Sequence, residues 1–165
     1  MFSTADVKVA NATSRAAGAV GARAIVPRVV QYIAKPSDTI LDFGSGHAAQ
    51  HALRLRQAGL TVTAHEFGDN VRPGLHAPDA LAYTYDIVYA SNVLNVQSSV
   101  AMLKTTIRQL HEACAWGGIV ICNYPQSPRK AGLKPSEVRA ELRRQFSVVE
   151  RVAGTSSAPV WECRP

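Results

Sequence analysis

The chain has 165 residues, 47% of them apolar, which suffices for one domain with a buried core and calls for no second one. Eighteen Lys and Arg against twelve Asp and Glu leave a net charge of +6, which permits an anionic partner without requiring one. No apolar run reaches the roughly 18 residues of a membrane span. Cys114, Cys122 and Cys163 are too few and too far apart for a disulfide frame or a zinc site, and the first eight residues lack the basic and apolar regions of a secretory signal, so the expectation is a cytoplasmic protein with reduced thiols.

Residues 1–21, rich in Ala, Ser, Thr, Asn and Gly and without a clear period, predict an irregular arm; residues 22–165 are expected to form the single domain. From Ala22 to Ala34 an apolar stripe of Ile25, Val26, Val29, Val30 and Ile33 predicts a helix that lies on a sheet and ends before Pro36. Thr39 to Phe43 has the apolar content of a strand covered on both faces, and it runs into Gly44-Ser45-Gly46 and then a helix-prone stretch from Ala48 to Gln57. Strand, glycine turn and helix in that order leave room for a ligand at the helix N-terminus, where backbone can approach it closely, although Gly44 and Gly46 would equally serve a tight turn alone.

Leu60 to Phe67 predicts a second strand ending at Glu66, twenty residues beyond Gly46, the spacing at which an acid in such folds holds ribose hydroxyls. Gly68 to Thr84 contains Pro73, Gly74 and Pro78 and leaves no place for a usual third strand-helix unit. Tyr85 to Ala90 is the next expected strand, with Ser91, Asn92 and Asn95 at its carboxyl end. A helix from Ser99 to Ala115, a strand from Ile119 to Asn123 and a helix from Pro135 to Phe146 follow, the last capped by Ser136. Ser147 to Val152 and Pro159 to Cys163 are joined by so few residues that they must be antiparallel neighbours. The fold expected is α/β, a doubly wound and mainly parallel sheet with a C-terminal antiparallel hairpin, shortened around its third strand.

The order Asp42-x-Gly44-x-Gly46, Glu66, Tyr-Asp-Ile-Val-Tyr-Ala-Ser-Asn, Gly117-Gly118 and a terminal hairpin resembles the class I S-adenosylmethionine (SAM)-dependent methyltransferases. Asp42 separates them from dehydrogenases, whose strand is normally apolar just before its glycines. The resemblance implies SAM as cofactor. It assigns Asp42, Gly44, Ser45 and Gly46 to its amino-acid portion, Glu66 and Phe67 to the ribose side, and Ser91 and Asn92 to the methionine side. Asp79 is the one candidate for the adenine end.

Because the sulfonium already activates the methyl group, catalysis reduces to aligning an acceptor. Asn95, Asn123 and Tyr124 follow the fourth and fifth strands of the family pattern and are the catalytic candidates, with His76 behind them. The Pro-Pro-aromatic and Pro-Cys signatures of DNA methyltransferases are missing, so a small-molecule acceptor is expected.

Competing readings stay open. Asp42, Asn92 and Asn95 would also serve as helix caps, Tyr124 as a packing aromatic, and the basic residues from Arg129 to Arg144 as a solvated face. From Gln126 onward eight Lys and Arg face four Glu, which keeps a nucleic-acid methyltransferase working with a partner among the alternatives. A binding or regulatory subunit without turnover and a nucleotide-binding oxidoreductase are the others. His47 and His51, four apart with no third ligand, give no expectation of a metal.

Overall fold

The computed structural model describes residues 4–16 and 24–165. In chain order it contains α1 (Thr4–Ala16), α2 (Ile25–Ile33), β1 (Thr39–Phe43), α3 (Gln50–Gln57), β2 (Thr61–His65), β3 (Tyr85–Ala90), α4 (Val100–Ala113), β4 (Cys114–Asn123), α5 (Pro135–Gln145), β5 (Val148–Gly154) and β6 (Pro159–Arg164). One six-stranded sheet takes the order β2, β1, β3, β4, β6, β5. The first four strands of that order are parallel, and β6 lies antiparallel between β4 and β5, as the short connection requires.

Alternation along the central strands sorts the core into two layers. Leu41, Phe43, Val88 and Ala90 pack with Leu103, Ile107 and Leu110 of α4 and Val138 and Leu142 of α5. Ile40, Ile87 and Tyr89 pack on the other face with Val26 and Val30 of α2 and Ala52 and Leu55 of α3. Nine residues are too few for a stable isolated helix, so α2 depends on this contact; Val26 and Val30 are fully buried and contribute roughly 1.5–3 kcal/mol each.

Caps set the helix starts on the other layer. Ser99 Oγ accepts from the Met102 N–H at 3.1 Å to start α4. At α5 the helix starts at Pro135 as expected, but Ser136 lies inside it and the cap position is Lys134, whose N–H donates to the Glu137 carboxylate at 2.7 Å.

Between β2 and β3 there are only two short 3-10 turns, Gly68–Asn70 and Ala80–Ala82, so the sheet ends at β2 where a further unit would otherwise flank it. The connection is tied back onto the sheet: the Ala77 N–H donates to the Ala64 carbonyl at 2.9 Å, and Leu75 packs on the α2/α3 layer.

Two segments differ from expectation. The arm expected to be irregular is helical over Thr4–Ala16, while residues 1–3 and 17–21 lie outside the described residues. Its Ser, Thr, Ala and Asn content hides a spacing of Val7, Ala10 and Asn11 that faces the domain, where Ala10 packs with Val96 and Met102. Strand β4 begins at Cys114 rather than Ile119. Tyr85 pairs with Cys114 and Ile87 with Ile119, so residues 115–118 bulge outward opposite Asp86 alone. Gly117 turns the bulge with φ +78°, and a Cβ on Gly118 would stand 2.8 Å from the Asp86 carbonyl. Trp116 at its tip is 96% exposed. The three cysteines are free and buried.

Candidate functional site

The carboxyl ends of β1, β2 and β3 meet at the glycine turn. Gly44 and Gly46 have φ of +71° and +77°, values open to glycine at little cost. A Cβ on Gly44 would stand 2.9 Å from Val93 Cγ2, whereas Gly46 faces open space. The Gly44 and Ser45 N–H groups both donate to the His65 carbonyl, at 3.0 and 2.9 Å, which folds the turn back over the end of β2. His65 itself sits in an aromatic cluster with Phe43 and Phe67, and burial lowers its pKa to about 4.

Glu66 closes the turn from the neighbouring strand. Its carboxylate accepts the Gly46 N–H at 2.6 Å and the Phe67 N–H at 2.8 Å. Burial raises its pKa, and those two N–H groups oppose the rise.

Asp42 lies below this turn, in register with Tyr89 on β3, and is 1% exposed. Burial lifts its pKa to about 7, with the Tyr89 hydroxyl opposing and Glu66 adding to the rise. Its Oδ2 and Ser45 Oγ are buried without a hydrogen-bond partner, and the Tyr89 hydroxyl faces the Asp42 carboxyl. Buried polar atoms are nearly always paired. Such a concentration beneath a glycine turn fits a polar, cationic ligand group.

The loop after β2 brings in His76, which is buried under the turn: its Nδ1 accepts the Arg72 N–H at 2.7 Å. That fixes the tautomer, so Nε2–H donates to the Gly46 carbonyl at 2.9 Å. His47 meets the Arg72 side chain and precedes α3, which starts at Gln50 after a left-handed Ala49, so His47 and His51 do not share a helix face. A histidine thirty residues from Gly46 inside a loop rich in Pro and Gly carries no sequence signal for this contact.

On the α4/α5 side of the turn, Phe43, Gly44, Glu66, Phe67, Asn92 and Val93 line a cleft. Helix α1 lies across it, with Val7, Ala10 and Asn11 facing in and Asn11 Nδ2 donating to the Phe67 carbonyl at 2.9 Å. Only about 40 Å³ remains free, against roughly 300–1,000 Å³ for ligand sites in general.

At the ends of β3 and β4 the polar groups are committed to one another. Asn92, left-handed at φ +58°, donates its N–H to Asn123 Oδ1 at 2.7 Å, and Asn123 Nδ2 donates to Asn92 Oδ1 at 2.8 Å. Tyr124 is fully buried, donates its hydroxyl to the Leu133 carbonyl at 2.8 Å and carries the Arg129 guanidinium over its ring at 4.6 Å. Tyr124 is thus packed as a buried aromatic, and Asn123 bridges the ends of the two strands. Asn95 is 2% exposed with Oδ1 unpartnered, and its carbonyl accepts the Lys130 N–H at 3.0 Å. Ser91 is half-buried beside Asn92. Asp79 starts the second 3-10 turn at φ −104°, beyond the His76 contact.

No family model and no curated protein matches this sequence. Solved structures share its fold widely. A TehB-like SAM-dependent methyltransferase from Corynebacterium glutamicum superposes with a TM-score of 0.66 at 15% identity over 92% of each chain. A SAM-dependent methyltransferase from Bacteroides fragilis, in complex with S-adenosyl-L-homocysteine, gives 0.62 at 14% identity over 84% of this chain and 76% of its own. A 16S rRNA methyltransferase from T. thermophilus, in complex with AdoMet and guanosine, gives 0.62 at 18% identity over 89% of this chain and 40% of that one. The chain has the class I SAM-dependent methyltransferase fold, without its usual third strand-helix unit. Among the described residues no helix is long and apolar enough to cross a membrane.

Proposed function

We propose that this protein binds SAM at the Gly44–Gly46 turn and transfers its methyl group to a small-molecule acceptor in the cytoplasm. The observation that carries the reading is Glu66 locked on the Gly46 N–H, above a buried Asp42 whose Oδ2 has no partner. A cationic ammonium and sulfonium are stabilised beside carboxylates in a site of low polarity, and Asp42, Gly44, Ser45 and Gly46 with Ser91 and Asn92 would hold that end. Glu66 and Phe67 would take the ribose side. When bound, the cofactor supplies an electrophilic methyl group.

The chain's own task is then to orient and to exclude water. The Asn92–Asn123 clamp holds the ends of β3 and β4 at a fixed spacing. Asn95 is the one catalytic candidate with a free buried acceptor atom, suited to positioning an acceptor N–H or O–H. For a ligand of cofactor size, Val7, Ala10 and Asn11 of α1 must move off the cleft.

That covering helix also favours a second reading, a cofactor-binding subunit without turnover. Calorimetry with S-adenosylhomocysteine tests both: wild type binds and Asp42→Asn loses most of the affinity. Absence of binding by folded wild-type protein would falsify the cofactor reading, and binding without methyl transfer to any of a panel of amine, hydroxyl and thiol acceptors favours the subunit.

A further inference from the structure

At the far edge of the sheet, on the face covered by α5, that helix and the β5–β6 hairpin enclose a groove of about 670 Å³, lined by Ser136, Arg139, Arg143, Arg151, Ser156 and Trp161. Its volume falls in the range of small-ligand sites. Arg139 and Arg143 are one helical turn apart on the same face of α5, and Arg151 faces them from β5, where it pairs with Trp161.

The four acids from Gln126 onward are all directed away from these guanidinium groups. Glu137 caps the Lys134 N–H. Glu141 reaches Lys104 and Arg144 at 3.7 and 3.5 Å, on the side of α4. Glu150 and Glu162 pair with each other in register one residue along from Arg151 and Trp161, and strand alternation turns them to the opposite face; Glu162 there holds Arg164.

Among the described residues, no ion pair is made by Arg139, Arg143 or Arg151. Arg139 donates one Nη to the Val149 carbonyl at 3.2 Å while its Nε is buried and unpartnered, and Arg151 donates to the Gly154 carbonyl at 2.9 Å. Those backbone bonds hold the two forks in place and leave their charge uncompensated. Three like charges in one groove repel, and an anion relieves that repulsion.

We propose that this groove is an anion site that takes the phosphate groups of a phosphorylated ligand, since planar guanidinium forks match phosphate oxygens two at a time. Its upper end lies at the edge where β4 finishes: the Tyr124 N–H donates to the carbonyl of Pro159, which also lines the groove. A phosphate held there lies beside the edge of the sheet at which the acceptor would enter. The groove does not depend on the cofactor reading.

Titration calorimetry on the full chain with two probes, inorganic pyrophosphate and a short oligouridylate, tests the site. Pyrophosphate is expected to bind, and Arg143→Gln and Arg151→Gln each to weaken it roughly tenfold. Arg108→Gln, on exposed α4 and paired with Glu112, is expected to change it less than about twofold. Tighter oligouridylate binding with a steep salt dependence assigns the phosphates to a polynucleotide; pyrophosphate binding alone assigns them to a small molecule. Failure of both probes to bind, or an equal loss in Arg108→Gln, overturns the site. Melting curves check that the variants fold, and S-adenosylhomocysteine affinity unchanged in Arg143→Gln separates this site from the cofactor cleft.

Discussion

The two polar regions at the carboxyl edge of the sheet are built on opposite plans. Around the glycine turn, Asp42 Oδ2 and Ser45 Oγ are buried with no partner. Around the ends of β3 and β4, Asn92, Asn123, Tyr124 and Arg129 satisfy one another and the backbone. A buried acceptor left unpaired costs about 1–3 kcal/mol, which a fold bears where a ligand is to be met. The first region is therefore read as the main binding surface, and the Asn92–Asn123 and Tyr124–Arg129 contacts of the second as the frame that sets its width, with Asn95 Oδ1 its one unpaired acceptor.

Asp42→Asn should break that contrast most strongly. Removing the charge while keeping the shape is expected to weaken S-adenosylhomocysteine about a hundredfold by calorimetry, and equal affinity in both proteins would remove Asp42 from the site. The same variant has a pH signature. An acid raised to about 7 in the folded protein from 3.8 binds its proton more tightly when folded. The resulting stability, of order 4 kcal/mol at most, is fully present below about pH 4 and lost as the pH rises through about 7. Wild type should therefore lose melting temperature between pH 5 and pH 8 relative to Asp42→Asn by at least about 5 °C.

Glu66→Gln comes next, with an expected loss of about thirtyfold in cofactor affinity, since a neutral amide accepts the Gly46 N–H less strongly. His76→Ala is expected to cost roughly tenfold in the same measurement by freeing the Gly46 carbonyl, with partial recovery in His76→Gln; a loss in acceptor KM instead would return His76 to the acceptor side. Tyr124→Phe sharpens the comparison from the scaffold side. It should lower stability by about 1 kcal/mol through the lost bond to Leu133, with cofactor affinity unchanged within about twofold.

Periodicity and turn chemistry carried most of the fold. Alternation and apolar runs located all six strands, and the Pro and Gly content after Glu66 was enough to show that the third unit is missing. Glu66 was legible because a strand tip twenty residues past a glycine turn must lie beside it. What stayed hidden depends on contacts distant in sequence. Helix α1 is stabilised by docking against Phe67, Val96 and Met102, and its own composition does not register that. Asn92 and Asn123 were each visible as polar residues at a strand end, but their mutual bonds follow from the β3–β4 register. The His76 contact requires the course of a loop whose local sequence fixes only its turns.

The two tryptophans give the molecule an optical consequence. Trp116 stands out on the β4 bulge at 96% exposure, and Trp161 is 2% exposed beneath α5. Emission should thus divide into a red-shifted component open to iodide quenching and a blue-shifted one shielded from it. Trp116→Phe, at a site that packs against nothing, leaves a single emitter on the floor of the arginine groove.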